Sequence, residues 1–248
     1  MAKQNALPEV PDHPVRPPEV TLRDEEPLEV TADDGVSLEA RIVVPAGARR
    51  VIVIAHPHPL YGGTMHNAVV LALAKVASER GAAIVRFNFR GVGKSEGRYG
   101  EGKSEIADVI GALRAARRAL PGAPVTSVGY SFGSWVSLRA VMRRASDAEA
   151  ERVALVSPAA RIFDFFVKEE REVAFDGPRA IVIGDRDEFC DVDEARAIAA
   201  HLGASIAIAP NAEHYFLSGR RRVAEHLAPF LLGEVDLVAP FPAEGATP

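Results

Sequence analysis

The pentapeptide Gly129-Tyr130-Ser131-Phe132-Gly133 is the part of this chain best suited to chemistry. A serine hydroxyl is a poor nucleophile at neutral pH unless a base removes its proton, and histidine has the pKa to do so. A carboxylate must then hold the imidazole in one tautomer and stabilise its charged form. Glycines two residues either side of the serine suit a tight strand-to-helix turn, where the backbone is strained and other segments approach closely. Chance alone supplies a Gly-x-Ser-x-Gly in about one chain in ten of this length. The assignment therefore depends on the elements around it.

Short apolar runs rich in Val and Ile alternate with segments of helical period along most of the chain. This pattern predicts strands near 27–32, 36–44, 50–56, 82–88, 124–129, 151–157, 179–184 and 204–209. It predicts helices near 67–80, 103–119, 132–145, 191–202 and 218–231. Runs such as Val51-Ile52-Val53-Ile54-Ala55 are apolar throughout, so those strands are buried on both faces and form a parallel sheet between helices, an α/β fold.

In open α/β sheets function gathers at the carboxyl ends of the strands. Ser131 follows one predicted strand, Asp187 the next but one and His214 the last, in the chain order Ser, Asp, His. His214 is the candidate base. Asp185 is close enough to its strand end to cap it or pair with Arg186. Asp187 lies further out, where a loop can curl toward the base, and is preferred. The N–H of Phe132, at the start of the helix, is aimed at a developing oxyanion. Cys190 reads as a small packed side chain rather than a second nucleophile.

With 48% hydrophobic and 25% charged residues, the 248-residue chain has the composition of a soluble globular protein and can bury a single core. Pro8, Pro11, Pro14, Pro17 and Pro18 mark residues 1–26 as an extended arm. The domain is expected over 27–232, with 233–248 as a tail in which Leu237, Val238 and Phe241 could dock. A net charge of -5 gives no basic footprint for nucleic acid. One cysteine, no apolar leader and no apolar run of about 18 to 20 residues point to a cytoplasmic protein without a membrane partner. A monomer or homodimer is expected.

The stretches Ala55-His56-Pro57-His58-Pro59-Leu60-Tyr61-Gly62-Gly63-Thr64-Met65-His66-Asn67, Phe87 to Gly97 and the serine pentapeptide resemble the α/β-hydrolase superfamily. The likeness is closest to its small bacterial members with His-Pro-His-Pro after the third strand. It implies an eight-stranded, mostly parallel sheet flanked by helices, a Ser-Asp-His triad, and no metal or organic cofactor. In the superfamily the acid usually falls three residues after the loop glycine, which from Gly184 is Asp187. The second oxyanion donor would come from the loop after the third strand, where relatives often carry His-Gly-x-Pro. Here Pro57 replaces the glycine, and proline has no N–H. His58 is therefore the candidate donor, with Leu60 in reserve. Only residues 158–178 occupy the place where larger relatives insert a lid, so no large lid is expected. Ile162, Phe163, Phe165, Phe166 and Val167 read either as one short helix beside the site or as core contacts. Dienelactone hydrolases look similar in outline but typically carry cysteine where this chain has Ser131. The activity implied is cleavage of small ester or thioester substrates through an acyl-enzyme.

Three rival readings remain. Gly97-Arg98-Tyr99-Gly100-Glu101-Gly102-Lys103-Ser104 fits the P-loop pattern of nucleotide-binding proteins, although its first glycine stands well beyond the strand end near Asn88. His56-Pro57-His58 has the spacing of a metal pair but no obvious further ligands. A hydrolase scaffold can also serve as a non-catalytic binding module.

Overall fold

The computed structural model describes residues 22–143, 145–166 and 175–242. Eight strands form one sheet: β1 (Glu26–Thr31), β2 (Ser37–Val43), β3 (Val51–Ala55), β4 (Ala83–Phe87), β5 (Val125–Tyr130), β6 (Arg152–Val156), β7 (Arg179–Gly184) and β8 (Ser205–Ala209). Their spatial order is β1-β2-β4-β3-β5-β6-β7-β8. The first two strands run antiparallel to their neighbours, and β3 to β8 are all parallel. The chain passes from β3 to β4 on one side and then to β5 on the other. That reversal opens a crevice between the carboxyl ends of β3 and β5, the place where such sheets hold ligands.

Among the described residues five α-helices cover the two faces: α1 (Ala68–Glu79), α2 (Glu105–Ala119), α3 (Phe132–Met142), α4 (Val192–Leu202) and α5 (Arg220–Leu231). Alternation along each strand divides the core. Val51, Val53 and Ala55 of β3 join Ile106 and Val109 of α2, Val136 of α3 and Ile198 of α4. Ile52 and Ile54 face the other way, onto Val70 and Leu73 of α1 and Leu227 and Phe230 of α5. Every residue of β3 to β6 is buried, so these strands are covered on both faces and are largely apolar, as a covered parallel sheet requires.

Both expected domain boundaries shift. Glu25, assigned to the arm, has a fully buried side chain whose carboxylate forks onto the equally buried guanidinium of Arg86. The domain thus begins before residue 27, because Arg86 needs that anion. At the other end, Val238 is buried and donates its N–H to Ser205 Oγ, while Phe241 stacks on His226. Val238 and Phe241 therefore dock beside α5, while Val235 and Leu237 stay exposed. The earlier part of the arm lies outside the described residues.

The connection between β6 and β7 carries no helix among the described residues. Phe165 packs into the core, Phe163 is half-buried and Ile162 is exposed, so this stretch mixes core contacts with cleft wall. Val167 falls outside the described residues. No helix among the described residues is long and apolar enough to cross a membrane.

Candidate active site

Ser131 occupies the single residue between β5 and α3, with φ 56° and ψ -117°. A non-glycine residue at positive φ is strained and persists only where its surroundings hold it. Here the N–H of Ser131 donates to Val156 O at 2.9 Å, and its carbonyl accepts from the N–H and the hydroxyl of Ser134. The flanking glycines permit the turn sterically. A β-carbon on Gly129 would collide with the Gly133 carbonyl, and one on Gly133 would lie 2.6 Å from His56 O. Strand β3, the turn and the first turn of α3 therefore meet backbone to backbone.

His214 Nε2 lies 2.9 Å from Ser131 Oγ, and His214 Nδ1 lies 3.0 and 2.9 Å from the two carboxylate oxygens of Asp187. The carboxylate fixes the tautomer: Nδ1 carries the proton and donates to Asp187, which leaves Nε2 to accept from the serine hydroxyl. All three side chains are buried. Asp187 Oδ1 also accepts from the Phe189 N–H.

The loops bearing Asp187 and His214 are laced together. Arg186 N–H donates to Ala212 O, Ala212 N–H donates to Asp185 Oδ1, and Glu188 accepts the His214 N–H. Asp185 thus ties the loop that carries His214, while Asp187 reaches the imidazole. Burial pushes the Cys190 thiol up to about 12, which keeps it protonated and unreactive.

The loop after β3 wraps the other side of Ser131. His56 is buried, with Nε2 accepting the Phe89 N–H and Nδ1 against Pro57 O, so it joins the ends of β3 and β4. Burial pushes its pKa down to about 3 and that of His58 to about 4, so both imidazoles are neutral. Farther along, the carbonyl of Met65 accepts from Arg86 and its N–H donates to Asn88 Oδ1. Leu60 N–H is committed to His58 Nδ1, which removes the reserve oxyanion donor. The backbone N–H groups of His58 and Phe132 have no acceptor among the described residues. His58 Nε2 then carries a proton, directed at Tyr99 Oη 3.1 Å away.

Sequence reasoning missed several of these supports. Arg86 and Asn88 were detectable as polar residues in an otherwise apolar strand. Tyr130, whose hydroxyl donates to the His214 carbonyl at 3.1 Å, left no signal beyond its place beside the serine. The P-loop-like stretch is filled from within, since the buried carboxylate of Glu105 accepts from the N–H groups of Gly100 and Gly102. Those are the kind of groups a phosphate would need.

A cleft of about 170 Å³ opens over Ser131 and His214, walled by Tyr61, Asn67, Ile162, Phe163, Phe189 and Tyr215. The rings of Phe189, Tyr215 and Tyr130 surround the His214 imidazole at centroid distances of 4.6, 5.3 and 5.6 Å.

Comparison with known proteins agrees with this architecture. A family model described as "Serine aminopeptidase, S33" matches residues 46–168, a span that holds the β3 loop and Ser131. An uncharacterized protein of Rickettsia prowazekii (strain Madrid E) is 30% identical over 177 residues, 67% of this chain and 71% of the relative. An alpha-beta serine hydrolase homologue from Coxiella burnetii is 30% identical and superposes with a TM-score of 0.72, covering 86% of this chain and 99% of that one. A Xanthomonas campestris protein described as an a/b serine hydrolase without lid is 25% identical, with a TM-score of 0.72 over 87% of this chain and 97% of its own. The chain belongs to the α/β-hydrolase superfamily of serine hydrolases.

Proposed function

We propose that this protein is a serine esterase acting on small carboxylic esters or thioesters, with Ser131 as nucleophile, His214 as base and Asp187 as the acid that orients it. The reading is carried by the unbroken hydrogen-bonded relay from Ser131 through His214 to Asp187 at the floor of an open cleft. His214 Nε2 takes the hydroxyl proton as Oγ attacks the carbonyl carbon, and Asp187 stabilises the imidazolium that forms. The backbone N–H groups of Phe132 and His58 hold the oxyanion. The imidazolium then protonates the leaving alcohol or thiol, and water activated by His214 hydrolyses the acyl-enzyme.

The cleft volume suits short acyl groups, since drug-sized ligands fill pockets of roughly 300 Å³ and more. The nucleotide-binding alternative loses support because Glu105 already occupies the N–H groups of the Gly97–Ser104 loop. A fluorophosphonate probe should label the wild-type chain and not Ser131→Ala. p-Nitrophenyl acetate or butyrate should be hydrolysed only by the former. Equal labelling of both proteins, or ester turnover that survives Ser131→Ala, rules out this mechanism, whereas a wild-type chain that neither labels nor hydrolyses ester leaves the binding-module reading.

A further inference from the structure

Asn67 stands at the start of α1 and on the wall of the cleft. Its backbone N–H donates to Thr64 O, its carbonyl accepts from the Leu71 N–H, and its Oδ1 accepts from the Val69 N–H at 2.9 Å. The helix cap thereby fixes which way the amide is turned. What remains is the Nδ2 amide, two donors with no acceptor among the described residues. Asn88 offers the contrast: its Oδ1 binds the Met65 N–H and its Nδ2 donates to Glu39, so both ends are used. A residue fixed by two backbone hydrogen bonds and one side-chain cap, with its donor end unused in the wall of the cleft, is prepared for an acceptor that arrives with a ligand.

The rest of the wall defines what that ligand is. Among the described residues lining the cleft there is no Asp, Glu, Lys or Arg, and the walls are mainly aromatic and aliphatic. A carboxylate or ammonium brought there would be desolvated without a counter-ion, whereas a neutral oxygen needs only one donor. We propose that Asn67 is a specificity-determining residue whose side-chain amide binds a neutral acceptor oxygen on the substrate, so that the site selects uncharged esters bearing a second oxygen near the scissile carbonyl. This inference rests on the esterase reading above.

Isosteric ester pairs in which an ether oxygen replaces one methylene provide the test. p-Nitrophenyl methoxyacetate against p-nitrophenyl butyrate probes the acyl side, and 2-methoxyethyl butyrate against n-butyl butyrate probes the alcohol side. Each kcat/KM is divided by the hydroxide-catalysed rate of the same ester. The wild type should favour the ether in one of the two arms by about five- to tenfold, the worth of one preorganised neutral hydrogen bond. Asn67→Ser and Asn67→Asp both keep a good helix cap while removing the amide donor. In Asn67→Ser the preference should vanish and in Asn67→Asp it should reverse, with Tm and circular dichroism confirming that the fold is retained.

p-Nitrophenyl hydrogen succinate should be a poorer substrate than the butyrate by tenfold or more. Ester hydrolysis with no ether preference in either arm, a preference that survives Asn67→Asp, or succinate turned over as fast as butyrate overturns this inference alone. A wild-type chain whose Ser131 neither labels nor turns over any ester overturns the esterase reading and this inference together.

Discussion

The hydroxyl of Tyr130, the residue before Ser131, donates a hydrogen bond to the backbone carbonyl of His214, whose imidazole faces the Ser131 hydroxyl. Strand β5 thus ends immediately before Ser131 and also anchors the loop that brings His214 to it. In Tyr130→Phe the carbonyl is left buried without its donor, which costs about 1–3 kcal/mol. The base loop is loosened as well. Urea unfolding should show that loss, and steady-state kinetics should show a fall in kcat with KM nearly unchanged. Wild-type kcat in this variant would mean that the loop holds its place without the bond.

Gly133 sets how closely the nucleophile turn approaches the loop after β3, because its missing side chain leaves room for the carbonyls of Ala55 and His56. Gly133→Ala must push these segments apart, at a cost of about 1–3 kcal/mol for overpacking. The proposed oxyanion donors, the N–H groups of Phe132 and His58, would move with them. Activity should fall at least about a hundredfold, as when an oxyanion donor is removed. Thermal unfolding and p-nitrophenyl ester rates check this together, and a fully active, fully stable variant would refute the close approach.

His56 makes stability depend on pH. Its folded pKa lies near 3 because of burial, against an ordinary value of 6.5. Below pH 6.5 the unfolded chain takes up a proton that the folded chain refuses, so unfolding is favoured. The stability that His56 protects is complete above pH 6.5 and declines by about 1.4 kcal/mol per pH unit as pH falls toward 3. Urea titrations at pH 7, 6, 5 and 4 should show a steeper acid decline for the wild type than for His56→Gln. Parallel declines would remove His56 as the source.

Glu105 serves the loop that mimics a phosphate site. In Glu105→Ala the N–H groups of Gly100 and Gly102 lose their acceptor, for a loss of about 1–3 kcal/mol. Lys103→Ala should leave both stability and esterase activity unaltered, and calorimetry should detect no ATP binding to the wild-type chain. ATP binding that disappears in Lys103→Ala would restore the nucleotide reading.

Glu25→Ala leaves the Arg86 guanidinium buried without its carboxylate, and breaking a buried pair in this way costs about 3–5 kcal/mol. Arg86 also holds the Met65 carbonyl, so ester turnover should weaken along with stability. Unfolding midpoints of the variant and the wild type measure the first effect. A difference below about 1 kcal/mol would show that Glu25 is dispensable.

By itself the sequence determined what short-range pattern controls. Valine-rich runs, buried on both faces, announced the parallel strands, and the two glycines around Ser131 announced the turn. The chain order Ser131, Asp187, His214 followed from which residues stand just past strand ends. The tertiary structure decided what depends on partners far apart in the chain. Leu60, the reserve to His58, has its N–H taken up by the His58 imidazole. Glu25 left the arm because Arg86, sixty-one positions away, was buried beside it. Tyr130 and His214, eighty-four positions apart, met because the sheet order lays the last loop over β5. Period and turn chemistry are written into neighbouring residues, whereas the partner of a buried polar group is fixed only when the whole sheet has assembled.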